Sequence, residues 1–251
     1  MTNVEASLSM LKNADILLYI GKGVLFTMII SVIAVLSGII IGSVLALVRN
    51  YCTKGVVPRI FHTLSIIYIE VFRNTPLLLW IFICLVFCPC PSLFSRKLFG
   101  LTSVETKLLF KASVALILFT SSVVAEIIRG GLNGIAKGQF EAAHAQGFNI
   151  VQTFIYVILP QAYRSVMPTL VSQVTSTIKD SSYLANVAVI ELMSRVKQIL
   201  SSANRYNGTG NINVSDVFVL FGFAALIYFA INYTLSCIVR RMQKRRRKVK
   251  A

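Results

Sequence analysis

The sequence predicts an all-α membrane protein with about five transmembrane helices, and three observations predict it. Hydrophobic residues make up 56% of the 251 positions and charged residues only 14%, whereas roughly 25% of residues are charged in an ordinary soluble domain. The apolar residues form long runs instead of the periodic faces typical of soluble helices. A dense group of lysines and arginines directly follows the last run. No separate soluble domain is visible, so residues 1–251 are predicted to form a single membrane domain.

Five apolar segments have about the 20 residues that a helix needs to cross the hydrocarbon core of a bilayer. Gly38 and Gly42 give the first of them a small-residue face on which another helix can pack closely. Between the fourth and fifth, residues 184–200 combine helical apolar spacing with interspersed charges, which predicts a surface or re-entrant helix. The predicted spans are residues 24–48, 58–87, 110–128, 151–177 and 214–239.

The second span is longer than one crossing requires, and polar residues interrupt its middle. Glu70 and Arg73 are costly in a bilayer unless they are paired or face water, and their i, i+3 spacing predicts that they neutralise each other. Pro76 lacks a backbone donor and disfavours helix at Thr75, so the span is predicted to break there and to free carbonyl groups. A broken helix of this kind can coordinate a zwitterionic solute. The alternative, a structural Glu70–Arg73 pair at a helix end, stays open.

One face of the fourth span is polar, because hydroxyl side chains recur at i, i+4, i+7 and i+11. Hydroxyls in a helix commonly bond to the preceding turn, but in a two-fold assembly this face would line a polar path. Adjacent opposite charges, Lys179 and Asp180, end the span and suit either a gate or a re-entrant turn. The residues of the polar face are Ser165, Thr169, Ser172 and Ser176, with Gln173 beside them.

Lysines and arginines predict the orientation of the spans. Eight of them lie within residues 240–250, directly after an apolar run, which is typical of a cytoplasmic anchor that contacts lipid. No aromatic residues or RNA-binding motif are interleaved with them, so the net charge of +16 does not indicate a nucleic-acid partner. Five crossings then place the N-terminus outside. Cations that agree with this orientation are Arg49, Lys54, Arg59, Arg129 and Lys137. Cations that do not agree are Arg96, Lys97, Arg195, Lys197 and Arg205.

The loop between the third and fourth spans, residues 129–150, is the most informative stretch of the sequence. Residues 139–146 are compatible with a short helix, and Gly147 follows as a left-handed C-terminal cap. A carboxylate in the first turn of such a helix, with small alanines after it, can lie closely in a partner's groove. The residues alone leave an ordinary interfacial helix as the alternative. The carboxylate and alanines are Glu141, Ala142 and Ala143.

This loop resembles the EAA loop of bacterial ABC importer permeases. The resemblance is carried by Glu141-Ala142-Ala143, by Gly147 four residues later, and by Ile158-Leu159-Pro160. Further blocks are similar to the polar amino-acid uptake branch of that family, and together they cover the chain from about Val24 to Val239. These blocks are Tyr68 to Leu78, Glu126 to Gly131, Lys137 to Gln139, Pro160 to Ala162 and Lys179 to Ser182.

The resemblance implies a MetI-like permease fold and a set of partners. The loop would form a coupling helix that seats in a cleft of a cytoplasmic ATPase dimer. That dimer would hold ATP and Mg²⁺, because this chain has no glycine-rich phosphate loop and is predicted to bind no cofactor itself. Five spans are too few to enclose a path, so a second permease, either a copy or a paralogue, is implied. The coupling residues would be Glu141, Ala142, Ala143, His144 and Gly147.

The predicted function is therefore the permease subunit of an ATP-driven importer in the bacterial inner membrane, which moves polar amino acids by alternating access. An extracytoplasmic amino-acid-binding protein would deliver the solute, with aspartate, glutamate and glutamine favoured by the resemblance. The resemblance also favours a path-lining role for the polar face of the fourth span. The predicted path comprises Glu70, Arg73, Thr75, Pro76, Ser165, Thr169, Ser172, Gln173 and Ser176.

Neither a catalytic site nor a metal site is predicted. His62 and His144 are the only histidines, and neither belongs to a metal-binding pair or a nucleophile triad. The five cysteines lack paired metal-ligand spacing, and the role of Cys88 and Cys90 stays open. The alternative function is a channel or an ion-coupled transporter that uses no ATP. Such a protein needs no sequence-specific cytoplasmic helix, and the sequence shows no candidate ring filter.

Overall fold

The computed structural model describes residues 3–53, 55–97, 100–208 and 210–250, with side chains at all of these positions except 3, 95 and 242–250. Every regular element within these ranges is helical, which confirms the all-α prediction. Short 3-10 helices cover Ser92–Ser95, Ser181–Val187 and Ala203–Arg205, and a π-helix covers Thr153–Ile158. The α-helices are α1 (Asn3–Met10), α2 (Ala14–Tyr51), α3 (Val56–Arg73), α4 (Leu77–Phe87), α5 (Ser103–Asn133), α6 (Lys137–Ala145), α7 (Ile150–Gln152), α8 (Leu159–Asp180), α9 (Leu192–Ser201) and α10 (Val214–Lys250).

Within the described ranges, three helices are long and apolar enough to cross a membrane, namely α2, α5 and α10. Helices α3 and α4 qualify together as a fourth span that is broken. The predicted fourth span is helical from α7 to α8, but its prolines and polar side chains make it less apolar, and its crossing stays a prediction. One face of α2 carries the large exposed apolar side chains expected of a lipid contact. These are Leu25, Ile29, Val32, Leu36 and Ile40.

The chain divides into two compact units. The prediction that residues 1–251 form a single domain stays a prediction. The first unit comprises Met1–Ala34, Leu78–Leu116 and Thr175–Cys237. Its apolar cluster joins α1, the start of α2, α9 and α10. The buried members of this cluster are Met10, Ile16, Ile20, Leu192, Val196, Ile199, Ala203, Leu220 and Ala224.

The helix predicted at 184–200 is divided in the structure. The 3-10 helix Ser181–Val187 ends at Ala188, which has a φ of +56°, and α9 begins only at Leu192. Glu191 caps α9 by accepting hydrogen bonds from two backbone N–H groups. Because α9 turns its apolar face into the first unit's cluster, it is an amphipathic packed helix and not a purely superficial one.

The second unit comprises Val35–Leu77, Ile117–Val174 and Ile238–Ala251. A Cβ atom on Gly42 would lie 2.8 Å from the Ser121 carbonyl oxygen and 2.9 Å from the Ala125 nitrogen, so α2 and α5 approach at backbone distance. The predicted small-residue face at Gly38 and Gly42 is thereby confirmed. The unit's buried apolar cluster contains Ala46, Val124, Ile128, Leu132, Ile158, Ala162 and Leu170.

The π-helix Thr153–Ile158 has an identifiable cause in the sequence. Pro160 has no N–H, and in an α-helix its ring would clash with the carbonyl of Tyr156. The wider π-helical winding lets the Leu159 N–H bond to the Phe154 carbonyl, five residues earlier. The helix therefore continues into α8 instead of stopping at the proline.

Candidate functional site

The predicted coupling helix is present as α6, Lys137–Ala145. Its end is set by Gly147, whose φ of +81° lies in the left-handed region. The Gly147 N–H donates to the His144 carbonyl at 2.9 Å, and the Phe148 N–H donates to the Ala143 carbonyl at 3.1 Å. These two bonds form a Schellman motif, which confirms Gly147 as the predicted left-handed cap.

Helix α6 has one buried face and one exposed face. It begins at Lys137 and not at residue 139, so Glu141 lies in the second turn and not in the predicted first turn. Glu141, Ala142 and His144 are exposed, whereas Ala143 is only 3% exposed. Ala143 is therefore a packing residue whose small side chain lets α6 lie close to the core. The remaining coupling candidates are accessible to a partner.

Side chains behind α6 hold it in place. The Phe140 ring centroid lies 6.3 Å from that of Tyr51 and 5.9 Å from that of Phe154. The Tyr51 and Phe154 rings meet edge-on at 4.6 Å. Aromatic pairs of this geometry contribute about 0.5–1.5 kcal/mol each beyond the area they bury. Gln161 Nε2 also donates to Gln139 Oε1 at 2.8 Å, so α6 rests on a fixed seat.

The charged residues of the second span have partners other than those predicted. Arg49 Nη2 donates to Glu70 Oε1 at 3.1 Å, and Arg73 Nη1 lies 3.8 Å from Glu126 Oε2. Glu126 also accepts from Arg49 Nη1 at 3.0 Å and from Arg129 Nε at 2.9 Å. Among the described residues no ion pair joins Glu70 to Arg73, so the predicted pairing of these two residues is wrong. Spacing of i, i+3 brings two side chains near each other on an isolated helix, but here residues of α2 and α5 offer both Glu70 and Arg73 an oppositely charged partner.

These five side chains form what we call the arginine–glutamate cluster. Their exposed fractions run from 18% for Arg49 and 21% for Glu126 to 44% for Glu70. Three guanidinium groups and two carboxylates leave one positive charge in excess. Each cation has a carboxylate within 4.0 Å, which offsets the cost of placing charges beside hydrocarbon. The members are Arg49, Glu70, Arg73, Glu126 and Arg129.

The second span breaks where the sequence predicts a break. Helix α3 ends at Arg73 and α4 begins at Leu77, and Pro76 is exposed between them. The Thr75 hydroxyl donates to the Val71 carbonyl at 2.6 Å. One carbonyl at the end of α3 is thus satisfied by a side chain of the break itself.

The polar face predicted for the fourth span lies on α8. Two of its hydroxyls bond to their own helix, since Ser165 Oγ donates to the Ala162 carbonyl at 2.7 Å and Ser172 Oγ donates to the Pro168 carbonyl at 3.0 Å. The face is nevertheless not covered by the rest of the chain. Its exposed members are Ser165, Thr169 and Ser172, and its half-buried members are Gln173 and Ser176.

The charges that end this segment lie where the α-helical winding of α8 changes to 3-10 winding. Helix α8 ends at Asp180, and the 3-10 helix Ser181–Val187 follows directly. Lys179 is exposed and Asp180 is half-buried. The chain stays helical through these two residues up to Val187, so the predicted turn is not found there, and a gating role for them stays a prediction.

Sequence reasoning passed over Glu191, whose side chain is 0% exposed. It accepts hydrogen bonds from the backbone N–H of Met193 at 2.9 Å, from that of Ser194 at 2.6 Å and from the Tyr228 hydroxyl at 3.1 Å. No cation of the described residues forms an ion pair with it. Burial raises the pKa of Glu191 to about 7, although these donors oppose the shift. Glutamate is not among the preferred N-cap residues, so the sequence carries no signal that marks Glu191 as a cap.

Metal-ligating residues do not cluster in the part of the chain that the structure describes, where no three His, Cys, Asp or Glu side chains could share an ion. The thiols of Cys88 and Cys90 each donate to the carbonyl of the proline that follows, at 3.6 and 3.7 Å. These contacts are local, and the role of Cys88 and Cys90 stays open.

Comparisons with known proteins agree with this geometry. Residues 38–248 match the family described as "Binding-protein-dependent transport system inner membrane component". The probable glutamine ABC transporter permease protein GlnP of Bacillus subtilis (strain 168) is 34% identical over 231 residues, 91% of this chain and 94% of that protein. The L-cystine transport system permease protein TcyL of the same organism is 29% identical over 222 residues, 88% of this chain and 84% of that protein. A crystal structure of an amino acid ABC transporter with histidines matches with a TM-score of 0.70 and 27% identity, over 95% of this chain and 97% of that one.

Proposed function

Since the chain belongs to the family of binding-protein-dependent transport system inner membrane components and is an amino-acid ABC importer permease, we propose that it moves polar amino acids across the bacterial inner membrane by alternating access. Glutamine, glutamate and aspartate are the solutes proposed first, on the similarity to a relative named as a glutamine permease. The observation that carries the proposal is α6, a short helix fixed from behind by aromatic rings with Glu141, Ala142 and His144 exposed on its outer face.

Helix α6 is the proposed docking point of a cytoplasmic ATP-binding-cassette ATPase dimer, on which ATP and Mg²⁺ would bind. A short helix with small outer residues can enter a groove on a partner. Because Tyr51, Phe154 and Gln161 hold α6 from behind, a displacement of α6 by that partner would also displace the residues behind it. Glu141 supplies a charge and Ala142 permits close approach. The Schellman motif at Gly147 keeps the helix end in one conformation.

The polar face of α8 supports the proposal of a second permease. Ser165, Thr169 and Ser172 are exposed within one chain, and exposed hydroxyls beside hydrocarbon are unfavourable unless they face water or another polar surface. A second copy or a paralogue would bring two such faces together around the solute. We therefore assign the solute contacts to this face. The ion pairs of Glu70 and Arg73 favour a positioning role for those two residues.

The orientation proposed for the complex has the N-terminus outside and the C-terminus in the cytoplasm. The cations after Val239 support it through the excess of lysine and arginine on the cytoplasmic side of membrane proteins. In this orientation α6 lies on the cytoplasmic side, where the ATPase is available. The opposite side would receive an extracytoplasmic amino-acid-binding protein.

The proposal is tested by reconstituting the chain with its candidate ATPase in nanodiscs and measuring ATP hydrolysis. The binding protein is added loaded with glutamine, glutamate, aspartate or cystine in turn. Native chain, Glu141→Arg and Glu141→Gln are compared. Glu5→Arg serves as the matched control, because Glu5 is also exposed but lies on the opposite side in the proposed orientation. We expect one loaded binding protein to stimulate hydrolysis and Glu141→Arg alone to abolish that stimulation.

Two results would contradict the proposal. In the first, the native chain assembles with no ATPase, and the channel or ion-coupled transporter becomes the better explanation. In the second, Glu141→Arg assembles and hydrolyses ATP as the native chain does, and the coupling assignment of α6 fails. The solute that stimulates hydrolysis decides the substrate. The mass of the complex is measured after assembly from this permease chain alone and after assembly with a candidate paralogue, which decides between a homodimer and a heterodimer.

A further inference from the structure

The last turn of α2 contacts four other elements, α3, α5, α6 and the π-helix, through three consecutive residues, Arg49, Asn50 and Tyr51. We call these residues the α2 end. Successive side chains on a helix point about 100° apart, so a single turn can reach neighbours on several sides at once. All the contacts below lie within the second unit.

Tyr51 connects the α2 end to α6. Its ring packs edge-on against Phe154 at 4.6 Å and lies 6.3 Å from the ring of Phe140. Phe140 is the aromatic residue by which α6 rests on the unit. A displacement of α6 therefore displaces the ring that Tyr51 contacts.

Asn50 connects the α2 end to the chain that leads into α6. Its side-chain amide donates to Asn133 Oδ1 at 2.8 Å. Asn133 is the last residue of α5, and only residues 134–136 separate it from α6. The α2 end thus contacts α6 directly through one residue and its entry segment through another.

Arg49 connects the α2 end to the break in the second span. Its two terminal nitrogens donate to different carboxylates, Glu70 at 3.1 Å and Glu126 at 3.0 Å. The other oxygen of Glu70 accepts from Asn74 Nδ2 at 3.1 Å, and Asn74 is the first residue of the break. Charge-assisted bonds of this kind are stronger than neutral ones. A lysine, with one compact ammonium group, does not reproduce the planar bridge of a guanidinium.

We propose that the α2 end is a positioning element that ties the placement of α6 to the helix break at residues 74–76. Arg49 and Tyr51 belong to one helical turn, so a shift of either is shared by the other. When α6 moves, Tyr51 carries the shift to Arg49, and Arg49 carries it through Glu70 to Asn74. Chains of packed and hydrogen-bonded side chains that have two arrangements can couple distant sites. The inference rests on the proposed function, because it needs a partner that moves α6.

The test uses the reconstituted complex of chain, ATPase and loaded binding protein. The measured quantity is the ratio of ATP hydrolysis with loaded binding protein to hydrolysis without it, together with solute uptake per ATP. The variants are Arg49→Lys, Tyr51→Leu and both together. Tyr51→Phe is the rescue variant, because it keeps the ring. Arg59→Lys is the matched control, since Arg59 is an exposed cation on α3 outside the arginine–glutamate cluster.

We expect each single variant to lower the ratio about tenfold, within the range of ordinary coupling between sites. The double variant should lower it no further than the stronger single variant, because both changes interrupt one connection. Tyr51→Phe and Arg59→Lys should keep the native ratio. Uptake per ATP should fall with the ratio in the two damaging variants.

Three results would overturn the inference. The first is an unchanged ratio of ATP hydrolysis in both single variants while the complex still assembles. The second is a double variant whose loss in the ratio is the product of the two single losses, which would mean that the residues act independently. The third is a loss that only follows the amount of assembled complex, as a purely structural role requires. Failure of the proposed function is distinguishable from all of these, because then the native chain itself shows no stimulation.

Discussion

Glu126 and Glu191 are both withdrawn from water, but the structure compensates them in different ways. Glu126, in the second unit, receives guanidinium groups from Arg49, Arg73 and Arg129. Glu191, in the first unit, is fully buried and is bonded to backbone and hydroxyl donors that carry no charge. The first carboxylate holds cations from three helices together, whereas the second caps one helix and accepts a proton readily. The following predictions test that difference, from the largest expected effect to the smallest.

Glu126→Gln should destabilise the chain most, because it leaves three arginines with a single carboxylate. Removing one partner of a largely buried charge pair costs about 3 kcal/mol, which corresponds to a melting temperature lower by about 10 °C in a chain of this size. Thermal unfolding in detergent measures it. Glu141→Gln, at an exposed carboxylate, is the control and should melt within about 1 °C of native. An equal loss in both variants would remove the distinction between the cluster and the surface.

Glu191 should make stability fall as pH rises. Burial raises the pKa of Glu191 from 4.5 to about 7, so the folded chain keeps a proton that the unfolded chain releases between these values. The free energy of unfolding then drops by about 2–3 kcal/mol from pH 4.5 to pH 7 and stays lower above that. Melting temperatures between about pH 5 and pH 8 measure the effect. The slope should be smaller in Glu191→Gln, and an unchanged slope would show that other groups cause it.

Tyr228→Phe should cost about 1 kcal/mol, the usual net contribution of one hydrogen bond. The Tyr228 hydroxyl donates to Glu191 Oε2 at 3.1 Å, and its loss disfavours the carboxylate form. The midpoint of the pH dependence should therefore move to higher pH. Tyr233→Phe, on an exposed ring of the same helix, is the control. The same midpoint in both variants would mean that the hydroxyl does not hold the charge of Glu191.

Glu70→Gln should have the smallest effect, less than about 1 kcal/mol, because the Glu70 side chain is 44% exposed and exposed ion pairs contribute little. A glutamine oxygen can still accept from Arg49. Chemical or thermal unfolding beside Glu126→Gln measures the contrast. If the two variants lose equal stability, the carboxylates share the compensation of the arginines equally, and Glu126 is not the centre of the cluster.

Features that depend on neighbours in sequence were predictable. The end of α6 follows from Gly147, because a residue without a side chain takes a positive φ at little cost and closes the last carbonyls of a helix. The break in the second span follows from Thr75-Pro76 for a similar reason, since proline restricts the residue before it. The small-residue face at Gly42 was also predictable, because only glycine lets the backbones of α2 and α5 approach so closely.

Features that depend on contacts between residues far apart in sequence were not predictable. Arg49 meets Glu70 across 21 residues of sequence and Glu126 across 77, and i, i+3 spacing gave Glu70 a partner that the fold does not use. Local spacing describes an isolated helix, whereas the packed helices decide which charge is nearest. Ala143 was grouped with Glu141 because the two belong to the block that resembles the EAA loop, but in the structure its side chain is buried against the second unit.

The π-helix at Thr153–Ile158 lets α8 keep its orientation although the segment holds one residue more than an α-helix would. Winding with i→i+5 bonds accommodates one more residue than an α-helix over the same length, and one residue corresponds to about 100° of rotation. With the same number of residues wound as an α-helix, Ser165 and Thr169 would lie about 100° away, on another side. In relatives that lack the extra residue, an α-helix through this segment would keep aligned serines and threonines on the same face.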